Sequence, residues 1–384
     1  MNMGNSSSTS RPSVQEHVEE SVDNGGEFSF DTPAKQKIVV HSTPSRTASS
    51  WSSWIYGTNR SSGYLKVLFC GKSSFPAAFP YTANELKYNR NIIVRECDEA
   101  DVPVEIVDTH VVVPLMTPID RGLLDNAPYL NIIHQFGDDL DSVDIDAATE
   151  LGISVASVSS GEVGNAQSCA EHAIFLCMSV LRNVNVHNEM IQKGVLGSPT
   201  GRTIMDSSVM IYGFGNLGKQ IAQRIFAFQP KRIVAIKKHP WVGAVPVRIE
   251  EIGLIKDTPR LSKGIDIIFL CCPQNDETSG KFDKQFIKDL SKGVIVVNVA
   301  KGGLLNYDDV YAALENDQIA GVGLDVFREE PFPPSDGFLC HKKVVATPHI
   351  AGVTEFSYRS MAKIVAGNVE RLMKDEELQG VVNF

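Results

Sequence analysis

The sequence has no apolar run long enough to span a bilayer. The nearest candidate, Ala173 to Leu181, follows Glu171 and His172 directly and is roughly half the required length, so it reads as a buried helix. There is no excess of basic charge. Lys and Arg total 36 against 46 Asp and Glu, a formal net charge of −10, which argues against nucleic acid or an anionic membrane as the main partner. A local basic pocket for a phosphate remains compatible with that total. The seven cysteines lack metal-ligand spacing. Cys271 and Cys272 are adjacent, and from a strand they point to opposite faces. No metal is expected, and the thiols fit a reducing, cytosol-like compartment.

Residues 1–63 also lack periodic apolar positions. They are rich in Ser and Thr and carry the acidic residues Glu16, Glu19, Glu20, Asp23 and Glu27. Such a composition does not repay the entropy of ordering, so a disordered tail is expected. Transit peptides are poor in acids. The location expected is therefore cytoplasmic, with a plastid left open by the Ser- and Arg-containing part from Ser42 to Ser62.

What is present from Tyr64 onward is an alternation of strand and helix. Leu65–Phe69, Val104–Val107, Val111–Val113 and Ile132–Ile133 read as strands, with a helical stretch around Pro118–Asn126. Ser168–Leu181 reads as a long helix. A second series follows, with strands at Val209–Tyr212, Ile233–Ile236, Ile265–Cys271, Val294–Asn298, Val322–Val326 and Val344–Ala346, and a closing helix over Glu355–Lys374. Such alternation predicts parallel sheets covered by helices. The fold expected is α/β, with two Rossmann-like domains joined by long helices and a site in the cleft between them. The division expected is 64–165 with 352–384 as a substrate (lid) domain, and 166–351 as a dinucleotide-binding domain. Ligands in such sheets sit beyond the carboxyl ends of the strands.

The sharpest local motif is Gly213-Phe214-Gly215-Asn216-Leu217-Gly218, a G-x-G-x-x-G spacing directly after a strand and opening a helix. In that context the first glycine permits a tight turn and the second lets the backbone approach a pyrophosphate. The third lets helix and strand pack closely, and the helix N-terminus supplies amide donors. An acid usually follows about 20 residues on, where it accepts from the ribose hydroxyls. Here the strand Arg232–Ile236 ends at Lys237-Lys238-His239. Two lysines attract a 2′-phosphate that a carboxylate would repel, so NADP(H) is the preferred cofactor, with NAD(H) possible.

Three later blocks resemble the D-isomer-specific 2-hydroxyacid dehydrogenase family, which includes phosphoglycerate dehydrogenases and glyoxylate/hydroxypyruvate reductases. Val297-Asn298-Val299-Ala300-Lys301-Gly302-Gly303-Leu304 is similar to its N-x-A-R-G-G-L block. Leu324-Asp325-Val326-Phe327-Arg328-Glu329-Glu330-Pro331 is similar to D-V-F-x-x-E-P, and Thr347-Pro348-His349-Ile350-Ala351-Gly352 to T-P-H-I-x-G. The segments around Val143–Ala148 and Cys169–His172 match as well. The resemblance implies a reductase that interconverts a small 2-keto acid, such as glyoxylate or hydroxypyruvate, and its D-2-hydroxy acid. It implies His349 as acid/base, Glu330 as its partner and Lys301 as the substrate anchor. It also places Pro273, Val299, Ala300, Lys301, Asp325, His349 and Gly352 around the cofactor, with Asp325 accepting from the nicotinamide carboxamide. A homodimer is implied too. Histidine suits the proton transfer because its pKa lies near neutrality, and a carboxylate behind the ring raises it.

Two positions depart from the family pattern. The anchor is Lys301 where the family has arginine; the charge is kept but the bidentate fork is lost. The substrate loop, usually G-x-G-x-D, reads Gly137-Asp138-Asp139-Leu140-Asp141, with Gly137, Asp138 and Asp139 taken as substrate-binding. Asp139 either repels an acidic substrate, by about 1 to 4 kcal/mol for a unit charge at contact distance, or turns out to solvent. These departures leave a second reading open, a dinucleotide-binding sensor or interaction protein of little activity on the same fold.

Overall fold

In the computed structural model the described residues are 64–243 and 248–384. The expected disordered tail, 1–63, lies outside them. Twelve strands in that portion form two sheets, parallel throughout. The first contains β1 (Leu65–Cys70), β2 (Ile92–Cys97), β3 (Val111–Val113), β4 (Ile132–His134) and β5 (Ser154–Ala156), in the order β2-β1-β3-β4-β5. The second contains β6 (Ser208–Tyr212), β7 (Arg232–Lys237), β8 (Glu251–Leu254), β9 (Ile267–Leu270), β10 (Val294–Asn298), β11 (Ile319–Leu324) and β12 (Val344–Ala346). Its order is β12-β11-β10-β9-β6-β7-β8. The longer helices are α1 (Ala78–Leu86), α2 (Asn165–Leu181), α3 (Val184–Gln192), α4 (Asn216–Phe226), α5 (Tyr307–Glu315) and α6 (Glu355–Lys374). No helix among the described residues is long and apolar enough to cross a membrane.

Every residue of β6, β9 and β10 is buried, as strands covered by helices on both faces require. The strands that sequence patterning missed are edges or very short. Edge strands β2 and β8 keep most residues half-buried, so neither gives a clear apolar run. The expected strand Val104–Val107 is instead a helical turn, Val102–Glu105, followed by a 3-10 turn, Ile106–Asp108. Pro103 has no N–H for a sheet ladder and suits the first turn of a helix. The buried residues are Val102 and Ile106, a helical spacing, and Val104 is exposed.

The closing helix returns to the first sheet. Tyr358, Met361, Val365, Val369 and Leu372 of α6 pack with Val67, Phe69, Val111 and Ile132, and each such burial stabilises by about 1.5 to 3 kcal/mol. Helix α2 instead covers the second sheet, where Ala170, Ala173, Leu176 and Val180 join the cluster of Val209, Phe269 and Val297. The two long helices cross near their N-termini, where the hydroxyls of Ser168 and Thr354 are 2.9 Å apart. The arrangement leaves a cleft between the sheets.

His134, at the end of β4, ties α6 to the first sheet. Its ring is wholly buried, with Nδ1 donating to the Gln135 carbonyl at 3.1 Å and Nε2 accepting from Asn368 at 2.8 Å. Burial pushes its pKa down to about 4, only partly opposed by the Gln135 carbonyl. Because the folded value lies below the ordinary 6.5, the unfolded chain binds the proton first, and stability falls as pH drops from about 6.5 to about 4. The loss attributable to His134 approaches about 3 kcal/mol at the acid end. Denaturant melts across that window should show it, and a His134→Gln protein should have a flatter profile. An unchanged profile in the variant would show that His134 does not carry this dependence.

Candidate active site

The site begins with a buried carboxylate. Asp325 follows β11 and is fully buried. Its Oδ1 accepts from the Thr347 hydroxyl at 2.6 Å and the Ile350 amide at 2.9 Å, and its Oδ2 accepts from the Ala351 amide at 2.7 Å. A carboxylate offers about four acceptor positions, and three are filled by the turn that follows β12. His172 of α2 completes the contact, with Nε2 2.7 Å from the Thr347 hydroxyl. That hydroxyl's proton goes to Asp325, so Nε2 is the donor to its oxygen. Burial holds the His172 pKa below its ordinary value, with the Asp325 charge acting the other way. Sequence reading assigned Asp325 to the nicotinamide carboxamide. Its evident work in the structure is to hold residues 347–351.

That turn puts His349 in the left-handed region, with φ of 53°, a conformation costing a non-glycine residue about 1 to 3 kcal/mol. The ring consequently faces Glu330. Nδ1 lies 2.6 Å from Glu330 Oε2, and Glu330 is itself oriented by the Phe327 amide, which donates to Oε1 at 2.9 Å. Nε2 is left as the edge facing the cleft. Burial disfavours the imidazolium, but the Glu330 hydrogen bond and charge, with Asp325 adding, outweigh it, and the pKa is raised above 6.5. The Phe75 ring stands edge-on to the imidazole at 5.1 Å between centroids.

Lys301, just beyond β10, does not project free into the cleft. Its Nζ pairs with Asp139 and lies 2.8 Å from Asp141 Oδ2. Asp139 does not simply turn out to solvent: its side chain, 42% exposed, pairs with Lys301. The side chain turns inward to the lysine, while Asp138 is exposed. The loop is fixed from beneath by Gln135, whose Nε2 donates to the carbonyls of Leu115 and Asp139 at 2.9 and 2.7 Å. Burial acts to raise the Asp139 pKa, but Lys301 overrides it and the value is lowered. For Lys301 burial acts to lower the pKa, and the two carboxylates override it. Gly137 has φ of 148° and its carbonyl accepts from Val158 at 2.8 Å.

The glycine loop has the geometry a dinucleotide needs. Gly213 turns with φ of 108°, and a Cβ there would overlap the Cys272 backbone. A Cβ at Gly218 would overlap the Gly213 carbonyl, so α4 starts close against β6. At Gly215, the residue capping α4, a Cβ would meet nothing within 4 Å. That open side is where a pyrophosphate can approach the backbone. Asn216 is exposed beside Gly161, and Leu217 is half-buried. At the end of β7, Lys237 donates to the Phe214 carbonyl at 3.5 Å, and Lys237 and Lys219 lie 5.7 and 5.2 Å from the Trp241 ring. Lys238 pairs with Glu277 at 2.9 Å. Pro273 is exposed and its carbonyl accepts from Thr278 at 2.8 Å. Val299 is buried, and the Ala300 amide donates to the Asn298 side chain at 3.1 Å. Gly352 packs against Asn165 of α2. Residues to which sequence reading gave no role in the site are Gln135, Asp141, His172 and Thr347. Most of their contacts join segments distant in the chain, although Gln135 also reaches the Asp139 carbonyl four residues on.

Comparison with known proteins shows the family and the fold. Residues 174–351 match the family model described as D-isomer specific 2-hydroxyacid dehydrogenase, NAD binding domain. A glyoxylate reductase of Thermococcus litoralis is 31% identical over 304 residues, covering 77% of this chain and 87% of that protein. A D-3-phosphoglycerate dehydrogenase of Archaeoglobus fulgidus is 30% identical over 277 residues, covering 71% of this chain and 51% of that one. The chain thus spans about half the length of the phosphoglycerate dehydrogenases it matches. A solved D-lactate dehydrogenase from Aquifex aeolicus, in complex with NAD and lactic acid, has a TM-score of 0.69 at 21% identity. It covers 83% of this chain and 99% of that one, and at that identity the likeness speaks for the fold alone.

The His349–Glu330 geometry predicts a titration. In Glu330→Gln protein the partner charge is gone while burial remains, so the imidazole pKa should fall. NMR titration of the ring should show this shift to lower pH; an unmoved pKa would show that Glu330 does not set it.

Proposed function

This chain belongs to the D-isomer specific 2-hydroxyacid dehydrogenase family, and we propose that it is an NADPH-dependent reductase of 2-keto acids, yielding the D-2-hydroxy acids. The observation that carries the proposal is the 2.6 Å bond between His349 Nδ1 and Glu330 at the cleft. In this reading residues 166–351 hold the cofactor, and 64–165 with 352–384 form the substrate-side lid. When bound, the reduced nicotinamide supplies the hydride. His349 holds the proton on Nε2 and releases it to the oxygen that becomes the alkoxide. Glu330 fixes the ring and offsets its charge before transfer, and the elevated pKa keeps the imidazolium populated near neutrality. Lys301 binds the substrate carboxylate, in exchange for at least one of its two aspartate partners. Glyoxylate and hydroxypyruvate are the small acids the resemblance suggests.

NADPH is favoured over NADH in this proposal because the end of β7 has lysines where a ribose-binding acid would stand, with Lys219 beside them. A homodimer is part of the reading; Phe175 of α2 and Phe226 of α4 are exposed on helices that pack together. One observation favours the second reading, a dinucleotide sensor. The substrate cation is already neutralised by Asp139 and Asp141.

Turnover of NADPH against a 2-keto acid panel separates the two. The reductase reading expects a lower KM for NADPH than for NADH. It also expects kcat/KM to fall by about 100- to 10,000-fold in His349→Ala. Firm NADPH binding with no turnover on the panel would favour the sensor, and equal or better use of NADH would overturn the cofactor assignment.

A further inference from the structure

A cavity of about 360 Å³ opens beside His349. Its walls come from both sheets and include Phe75, Ala77, Met116, Phe332, Ile350 and Val353. The polar side chains in the lining are the His349–Glu330 pair, the buried Tyr358 and two serines, Ser73 and Ser74, of which Ser73 is exposed. Lys301 and the 137–141 loop are not among the lining residues. The site therefore has two unlike ends that meet at the imidazole.

At one end the anchor for a carboxylate is compromised. Lys301 already has two carboxylate partners, and an incoming substrate must displace one of them. At the other end the chamber is much larger than a two-carbon acid. Since liquid water takes about 30 Å³ per molecule, glyoxylate would leave most of this volume to water facing phenyl and aliphatic walls. The hydroxyl of hydroxypyruvate would sit against the same walls with few partners, which is unfavourable. Phe75 holds a left-handed backbone, with φ of 54°, and its ring lines the chamber edge-on to His349. Strained residues of this kind cluster where a ligand is clamped.

We infer that the substrate is a 2-keto acid with a bulky apolar substituent, branched or aromatic. That substituent fills the chamber and supplies the binding that the Lys301 anchor, held by Asp139 and Asp141, does not. The inference rests on the reductase reading and names the substrate class for the same site. Met116 belongs to the chamber wall as a specificity-determining residue.

The test is a kcat/KM series with NADPH as reductant, from glyoxylate and hydroxypyruvate through pyruvate and 2-oxobutyrate to 4-methyl-2-oxopentanoate and phenylpyruvate. A methylene moved from water into an apolar site is worth about fourfold, so kcat/KM should climb along the series and exceed the glyoxylate value by tenfold or more at the bulky end. Met116→Trp, which fills the chamber, should reduce the ratio of phenylpyruvate to glyoxylate by about tenfold. Highest kcat/KM for glyoxylate or hydroxypyruvate, or an unchanged ratio in the variant, would overturn the inference while leaving the reductase reading intact. If no keto acid is reduced, the reductase reading fails, and calorimetry with NADP+ decides the chamber separately. D-phenyllactate binding more tightly than glycolate would support an apolar ligand, and equal or absent binding of both would overturn it.

Discussion

The candidate chemistry depends on a carboxylate that faces away from solvent. Asp325 collects a hydroxyl and two amides from the turn after β12, and it is buried well enough that losing any one of them would leave an unsatisfied charge. Such a group is costly unless its partners stay in place. It therefore dictates the conformation of residues 347–351, including the strained backbone of His349. The imidazole carried by that turn meets Glu330 at 2.6 Å, and Glu330 is aimed by the Phe327 amide two residues beyond Asp325. One buried charge thus organises strand end, turn, ring and partner. The same carboxylate adds to the field that favours the imidazolium.

The opposite end of the site has a different logic. Lys301 and Asp139 are each partly withdrawn from water, and each supports the other's charged form. Pairs of this kind contribute little net stability when exposed, and in drier surroundings desolvation offsets much of the stronger attraction. Here the consequence is for recognition. The lysine keeps its charge but is not free to offer it, so a substrate carboxylate competes with a tethered one. Apolar burial beside His349 requires no such exchange. In the proposed reading, the balance between those two ends sets which acids the site accepts.

Legibility in the sequence followed the range of the interactions. The glycine loop was readable because its three glycines act within six residues, on a strand and helix adjoining it. Strands β6, β9 and β10 were readable because burial on both faces leaves uninterrupted apolar runs. The segment at Val102–Asp108 misled because short valine-rich runs suit a strand or a helical turn equally, and Pro103 decided for the turn. The His349–Glu330 pair was reached through resemblance, and the geometry agrees. The Lys301–Asp139 pair was not legible, since the two lie 162 positions apart and pattern alone does not bring them together. Phe75 and Met116 carry no code for what they enclose. Their meaning arises only when β1, β3 and the turn after β12 converge. Asp325 was identified as a site residue, but its commitment to the turn required coordinates.

The central claim is that His349 delivers a proton to the oxygen of a 2-keto acid as hydride arrives at its C2. The most direct measurement uses NADPH carrying deuterium at the transferable C4 position, with the hydroxy acid product analysed by mass spectrometry and chiral chromatography. The account predicts one deuterium at C2 of a D-configured product, and loss of labelled product in His349→Ala protein that still binds NADPH. Label at no carbon of the product, an L-configured product, or full labelling without the imidazole would contradict it.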